Sequence, residues 1–228
     1  VNSDLSAWTP RERPGRAPIQ GGLVRLEPLD PARHGDGLYA VSTVPDAMDR
    51  FRYLGNDYPP KSREDYRPWL DRAAAGEDPR HYTVLDRRTG AVLGRQALMR
   101  IDHVNGVIEI GNIYWGPDIA RTPKATEALY LFARYAFDAL GYRRFEWKCD
   151  NDNEPSKSAA LRFGFAFEGI FRQHMVMKGK NRDTAWFAML DHEWPVIREA
   201  FERWLDPENF DATGQQIKRL VDIRAALA

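Results

Sequence analysis

The chain has 228 residues, 43% hydrophobic and 29% charged, a length that suits one sizeable domain with an extension and a composition that supports a packed core rather than disorder. Lys and Arg together number 33, as do Asp and Glu, so the formal net charge is zero. That balance argues against a dedicated nucleic-acid binder, whose basic footprint would show, but leaves room for a local basic pocket.

Residues 1–21, with Pro10, Pro14, Pro18 and Gly21, read as an irregular arm, and Arg11, Arg13 and Arg16 as its solvated charges. Leu23 to Leu26 predicts a first strand. Pro31 to Val41 and Lys61 to Ala75 predict helices, the second starting at Ser62, three residues before Asp65. From His81 the pattern has period two. Strands are expected at Tyr82 to Leu85, Val92 to Ile101 and Val107 to Trp115, the last two joined through Asn105-Gly106, a strong hairpin signal. This is an antiparallel meander.

Thr122 stands at an N-cap, with Pro123 at the first helical position, where its missing N–H is harmless. Ala125, Ala128, Leu129, Phe132, Tyr135, Ala136 and Leu140 then recur at helical spacing, and Gly141 closes the helix. Arg144 to Cys149 alternates as a strand. Strand, helix, strand in sequence needs a crossover and implies a parallel pair. A short helix from Asn153 to before Gly164 and a hairpin of Phe165 to Met177 with Arg182 to Leu190 follow. Two tail helices are expected, Trp194 to Leu205 and Gly214 to Leu227. Their apolar stripes (Ile197, Phe201, Leu205; Ile217, Leu220, Ile223, Leu227) face either the domain or a second copy, leaving a homodimer open.

Two places suit chemistry. The junction from Trp115 to Glu127 ends in a helix start, whose free N–H groups and dipole seat an anion, with Arg121 and Lys124 nearby. An ordinary strand–helix turn reads the same way. Asn153 and Ser156 open the next helix; they cap it, and they also suit a ligand lying between splayed strands. Cys149 is the only cysteine, so no intrachain disulfide forms and the cytoplasm is the expected setting. The histidines show no metal-ligand spacing, so no metal is expected, and no GxGxxG follows a strand to suggest dinucleotide redox chemistry. No apolar run nears the ~20 residues of a membrane span.

Together these segments resemble the GCN5-related N-acetyltransferase (GNAT) family in its RimJ/RimL-like branch, over about residues 22 to 190. The resemblance lies in Glu109-Ile110-Gly111-Asn112-Ile113-Tyr114-Trp115, then Ala125-Thr126-Glu127-Ala128, Leu140-Gly141, Asn153 with Ser156, and Phe163-Gly164-Phe165 with Glu168-Gly169. It implies an α+β (mixed α/β) fold with a splayed mixed central sheet flanked by helices. The domain would span 22–192, after the 1–21 arm and before a C-terminal helical extension at 193–228. It also implies an acyl-CoA-dependent N-acyltransferase. Acetyl-CoA or another acyl-CoA would lie in the splay, its pantetheine along Ile113, Tyr114 and Trp115, its pyrophosphate at Ala120, Arg121, Thr122, Lys124 and Ala125, and Asn153 beside the pantetheine. One departure stands out: the family's loop glycine is Pro123 here, which removes an N–H and alters the grip. A non-catalytic acyl-CoA-binding module is therefore the alternative.

By the same resemblance an amine attacks the thioester directly in a ternary complex. Glu109 is the candidate base, Asn112 a candidate to orient a water, and Ser156 the candidate donor to the departing thiolate. No tyrosine lies between Cys149 and Leu190, which leaves Ser158, Tyr114 or water as other donors. The amine, a protein N-terminus or a small molecule, would enter between the N-terminal helices and the last hairpin. Phe51, Tyr53, Tyr58 and Trp69 are wall or core there. No nucleic-acid or membrane partner is expected.

Overall fold

A computed structural model describes residues 4–227; the first three residues of the expected arm, and Ala228 at the end of the expected extension, lie outside them. One eight-stranded mixed sheet runs through the chain in the order β1-β2-β3-β4-β5-β6-β8-β7. Its first half is an antiparallel meander of β2 (Val24–Pro28), β3 (Arg80–Asp86), β4 (Val92–Asp102) and β5 (Val107–Trp115). Between β2 and β3 come α1 (Pro31–Ser42), α2 (Ala47–Arg50) and α3 (Arg63–Ala75). Asp30 caps α1 through the amides of Ala32 and Arg33, and Ser62 caps α3 through that of Asp65. The four-residue α2 has too short a pattern to be read from sequence.

After β5 the chain crosses over through α4 (Pro123–Arg134) and a π-helical turn (Tyr135–Ala139), ending at Gly141 with φ 66°. β6 (Arg144–Asp150) then lies parallel to β5. α5 (Glu154–Phe163), β7 (Ala166–Met177) and β8 (Lys180–Leu190) come next, β8 pairing antiparallel with both β6 and β7. Glu127 on α4 pins the first strand: its carboxylate accepts from the amides of Gly22, Leu23 and Val24 at 2.7–2.8 Å. This buried acceptor satisfies a turn that otherwise has orphan donors.

β5 and β6 pair over only four rungs, Val107↔Arg144 to Ile110↔Trp147, and then part. A bulge bends β5 at that point. Ala97 pairs with Gly111 and Arg95 with Tyr114, leaving Asn112 and Ile113 against the single residue Gln96, and Asn112 takes φ 49°. The bulge turns β5 away from β6 and opens the sheet.

Two readings of the ends are corrected. The arm is no solvated tail: it holds strand β1 (Ile19–Gln20) and lies along the domain. The Trp8 indole donates to Val104 O, Arg11 to Gly141 O and Arg16 to Ala74 O, while Gly15 bonds both Tyr135 and Tyr82. Two of its arginines therefore end on carbonyls that the sequence pattern could not show. At the other end, α6 (Trp194–Leu205) forms as expected, but the last helix α7 covers only Leu220–Ala225. Asp211 collects the amides of Thr213 and Gln215, Gly214 turns with φ 80°, and Asn209 bonds the carbonyls of Trp204 and Lys218. Such side-chain bonds compete with a helix and win. Ile197, Phe201, Leu220 and Ile223 are buried in the domain's own core, so most of each stripe packs inward, while Ile217 is left exposed. Among the described residues no helix is long and apolar enough to cross a membrane.

Candidate active site

The splay leaves a cavity at each end. The first, about 320 Å³, lies between the 53–56 segment and the β7–β8 hairpin, with β5 and β6 as its floor. The second, about 490 Å³, lies between the 120–126 loop, α5 and the tail. Glu109, Asn112, Ile113, Asn153 and Ser156 line the first; Trp115, Ala120, Arg121, Thr122 and Ala125 line the second.

Glu109 is buried, and both its oxygens are engaged: Arg100 Nη1 is 2.6 Å from Oε1 and Lys148 Nζ 2.9 Å from Oε2. Lys148 also pairs with Glu146 at 2.6 Å and sits 3.7 Å above the Trp186 ring. Arg144 continues the row to Glu146 and to Glu168 on β7. Three cations and three carboxylates thus alternate across four strands. Each buried charge in that row has a counter-charge within 3 Å, which is what makes burial tolerable.

Asn112 turns its amide to His81 Nε2 at 3.4 Å, and its backbone carbonyl accepts from the buried Arg95. Burial, and then the nearby Arg95 charge, push the His81 pKa down to about 3, so this imidazole is neutral at physiological pH and takes up no proton there.

At the start of α5, Asn153 Oδ1 accepts from the Ser156 amide, while Ser156 Oγ accepts from the Trp147 indole at 3.0 Å. The indole N–H donates and cannot accept, so this bond does not consume the Ser156 O–H. Cys149 also lines this cavity; burial pushes its thiol pKa up, with the Ser156 hydroxyl pulling against it.

Tyr114 contributes only backbone to the gap. Its hydroxyl donates to Val41 O at 2.5 Å, so that hydrogen is committed away from the gap; burial pushes its pKa up to about 12. Of the expected aromatic wall, Tyr53 lines the first cavity; Phe51 is core against Tyr114, and Trp69 stacks on Tyr66.

The second cavity meets the start of α4. Thr122 is extended at the N-cap position, but its hydroxyl donates backwards to Ile119 O and caps nothing. The loop's own bonds take up the amides of Ile119, Ala120, Thr122 and Ala125, but not those of Arg121 and Lys124. Lys124, expected at the phosphates, is not among the residues lining this cavity. Its ammonium turns away to the buried carboxylate of Asp86, 2.6 Å distant, and this bond holds Asp86 far below the usual carboxylate range. A buried carboxylate outcompetes an open loop for the nearest cation.

The sequence pattern gave no hint of Arg162. On α5 it lines the second cavity, donates to Thr126 Oγ1 and stacks 4.8 Å from the Trp204 ring, with no carboxylate against it among the described residues. Burial lowers its pKa. Trp204, Phe210, Gln215 and Gln216, from the tail, complete the wall. An i+6 spacing from Ser156 to Arg162 was the available signal, and it is too common to single out. Among the described residues no group of three or more His, Cys, Asp or Glu is placed to hold a metal ion.

Residues 24–166 match a protein family described as Acetyltransferase (GNAT) domain. The chain is 59% identical to a crystal structure of a GCN5-related N-acetyltransferase from Brucella melitensis, with a TM-score of 0.94 over 96% of this chain and 98% of that one. It is 38% identical to a probable acetyltransferase (GNAT family) from Chromobacterium violaceum, with a TM-score of 0.79 over 86% and 96% of the two chains. Among curated proteins it is 29% identical to an uncharacterized N-acetyltransferase, p20, of Bacillus licheniformis, over half of this chain and 63% of that protein's length.

Proposed function

The chain belongs to the GNAT acetyltransferase family, in its RimJ/RimL-like branch, and from that premise we propose that it transfers an acyl group from acyl-CoA to a primary amine by direct attack in a ternary complex. The observation that carries this reading is the parting of β5 and β6 after Ile110 and Trp147, with a helix start at either end of the gap.

The residues at the gap fit acetyl-CoA or another acyl-CoA. Past Ile110, β5 has no strand beside it on the β6 side, so its backbone there is open to an amide-bearing chain. Arg121, the free amides of the 120–126 loop and Arg162 face the phosphates, while Trp115, Phe163 and Trp204 offer flat apolar surface to a base. The bound co-substrate supplies an activated thioester. Asn153 orients the pantetheine, and Ser156, whose O–H the Trp147 indole does not use, donates toward the departing sulfur in place of the Cys149 thiol. The open β5 amides face the developing oxyanion. Glu109 is the base at the cavity floor, with Asn112 holding a water beside it. Because Arg100 and Lys148 occupy both Glu109 oxygens, that proton moves through water rather than by direct contact.

The acceptor is a protein N-terminus or a small-molecule amine, and a cytoplasmic setting suits the single buried cysteine. A homodimer would use an exposed apolar surface, and the β7 edge with Phe167, Phe171 and Val176 is available. The non-catalytic alternative keeps one support: Pro123 has no N–H, and Lys124 is turned to Asp86. Thiol release with acetyl-CoA and a panel of amines decides between the two. Turnover is expected, together with a rise in melting temperature on adding acetyl-CoA. A rise with no release from any amine supports the binding module; neither signal overturns both.

A further inference from the structure

Three cations line the first cavity: Arg100, Lys148 and Arg182. The first two are neutralised by Glu109 and Glu146. Arg182, on β8, has only neutral partners among the described residues. Its Nε donates to Thr184 Oγ1 at 3.1 Å, and one Nη lies 2.9 Å from the Met177 sulfur. A thioether is a weak acceptor, and the Thr184 hydroxyl also bonds His174. A half-buried guanidinium so placed is desolvated with no ion pair against it, and burial lowers its pKa against the opposing charges of Asp150 and Glu109 nearby. Asp150, on the neighbouring strand β6, lines the same cavity; its charge acts on Arg182 but makes no ion pair with it.

We propose that Arg182 is the anion-reading residue of the acceptor site, and that the acceptor is an amine that also carries a carboxylate or another anionic group. This rests on the acyltransferase reading above. The fork of Arg182 still has donors to offer, a geometry that carboxylates and phosphates match. Arg182 stands at the hairpin side of the cavity, opposite Met175 of β7, whereas Ser156 and Asn153 stand at the split. An acceptor with its amine at the split and its anion toward the hairpin spans the two. Asp150 offers a carboxylate to the ammonium before it loses its proton.

The test pairs acceptors that differ only in charge: amino acids against their carboxamides, phosphoethanolamine against ethanolamine, and short peptides with acidic against amidated second residues. Binding is measured by calorimetry on the full chain saturated with coenzyme A, and turnover by thiol release from acetyl-CoA. The anionic member of at least one pair is expected to bind about tenfold or more tightly, the size of a charge-assisted hydrogen bond. The favoured pair tells carboxylate from phosphate. Arg182→Gln should bring that preference within about twofold of unity, and Arg182→Lys, which keeps the charge but not the fork, should retain part of it. An unchanged rise in melting temperature with acetyl-CoA certifies that Arg182→Gln is folded; if it is not, Arg182→Lys and the wild-type pairs decide. Equal or better binding of every neutral member, or a preference that survives Arg182→Gln, overturns the proposal. A preference in binding with no thiol release from any amine keeps the anion site and overturns the acyltransferase reading. Release without preference does the reverse.

Discussion

The ammonium of Lys148 sits 2.9 Å from Oε2 of Glu109, joining two buried charges across the last parallel rungs of the sheet. The pair ties β5 to β6 just before they part, so the same contact holds the floor of the cavity and fixes where the split begins.

Lys148→Met should therefore be expensive. It leaves Glu109 and Glu146 facing one another on adjacent strands with less positive charge between them, and breaking a buried pair in this way costs about 3–5 kcal/mol. Adding Glu109→Gln should recover part of that loss, so the double variant is more stable than the sum of the singles implies. Urea denaturation of the four proteins in the cycle checks this, and strict additivity would mean that the two side chains do not interact.

Ser156→Ala removes the O–H left free by Trp147. If that hydrogen meets the leaving sulfur, kcat falls by about tenfold to a hundredfold while KM for acetyl-CoA moves little. Steady-state kinetics with saturating amine reports the split. A change confined to KM would make Ser156 a cap and a packing residue alone.

Arg162 and Lys124 give a contrast at the other cavity. Arg162→Gln should raise KM for acetyl-CoA about tenfold, since it removes a charged donor from the cavity proposed to hold the phosphates. Lys124→Gln should leave that KM nearly as it was but lower the melting temperature, because Asp86 loses its cation. The reverse pattern would show that Lys124 swings to the phosphates once they arrive.

His81 sets a slope in acid. Its folded pKa of about 3 lies below the ordinary 6.5, so between those values the unfolded chain binds a proton that the folded one refuses. Its contribution to stability is complete above 6.5 and is lost as the pH falls toward 3, by at most about 1.4 kcal/mol per pH unit. Urea midpoints from pH 7 down to 4 should fall less steeply for His81→Gln than for the wild type. Parallel slopes would mean that the imidazole is already protonated in the folded state.

Period and punctuation carried the frame. The expected strand from Val107 to Trp115 has those ends in the structure, and Ser62, Pro123, Gly141 and Asn153 sit at the helix boundaries where their local chemistry put them. The features that were not legible depend on partners distant in the chain. Nothing near Lys124 says that Asp86 lies under it, and nothing near Tyr114 says that its hydroxyl ends on Val41. The bulge at Asn112, which opens the gap, requires a mismatch with β4 that no single strand displays. Arg162 and Arg182 stand out only once the fold shows that, among the described residues, their side chains bond neutral partners and form no ion pair.

The matched part of the chain ends at residue 166, yet both cavities are finished by residues beyond it. Met175, Met177 and Arg182 close one; Trp204, Phe210 and Gln216 close the other. The split sheet is thus laid down first along the chain, and the last quarter finishes the walls of both cavities. Under the proposed function, the shape of what each cavity admits is therefore expected to travel with the hairpin and tail, and exchanging only those segments between relatives should change it without rebuilding the split sheet.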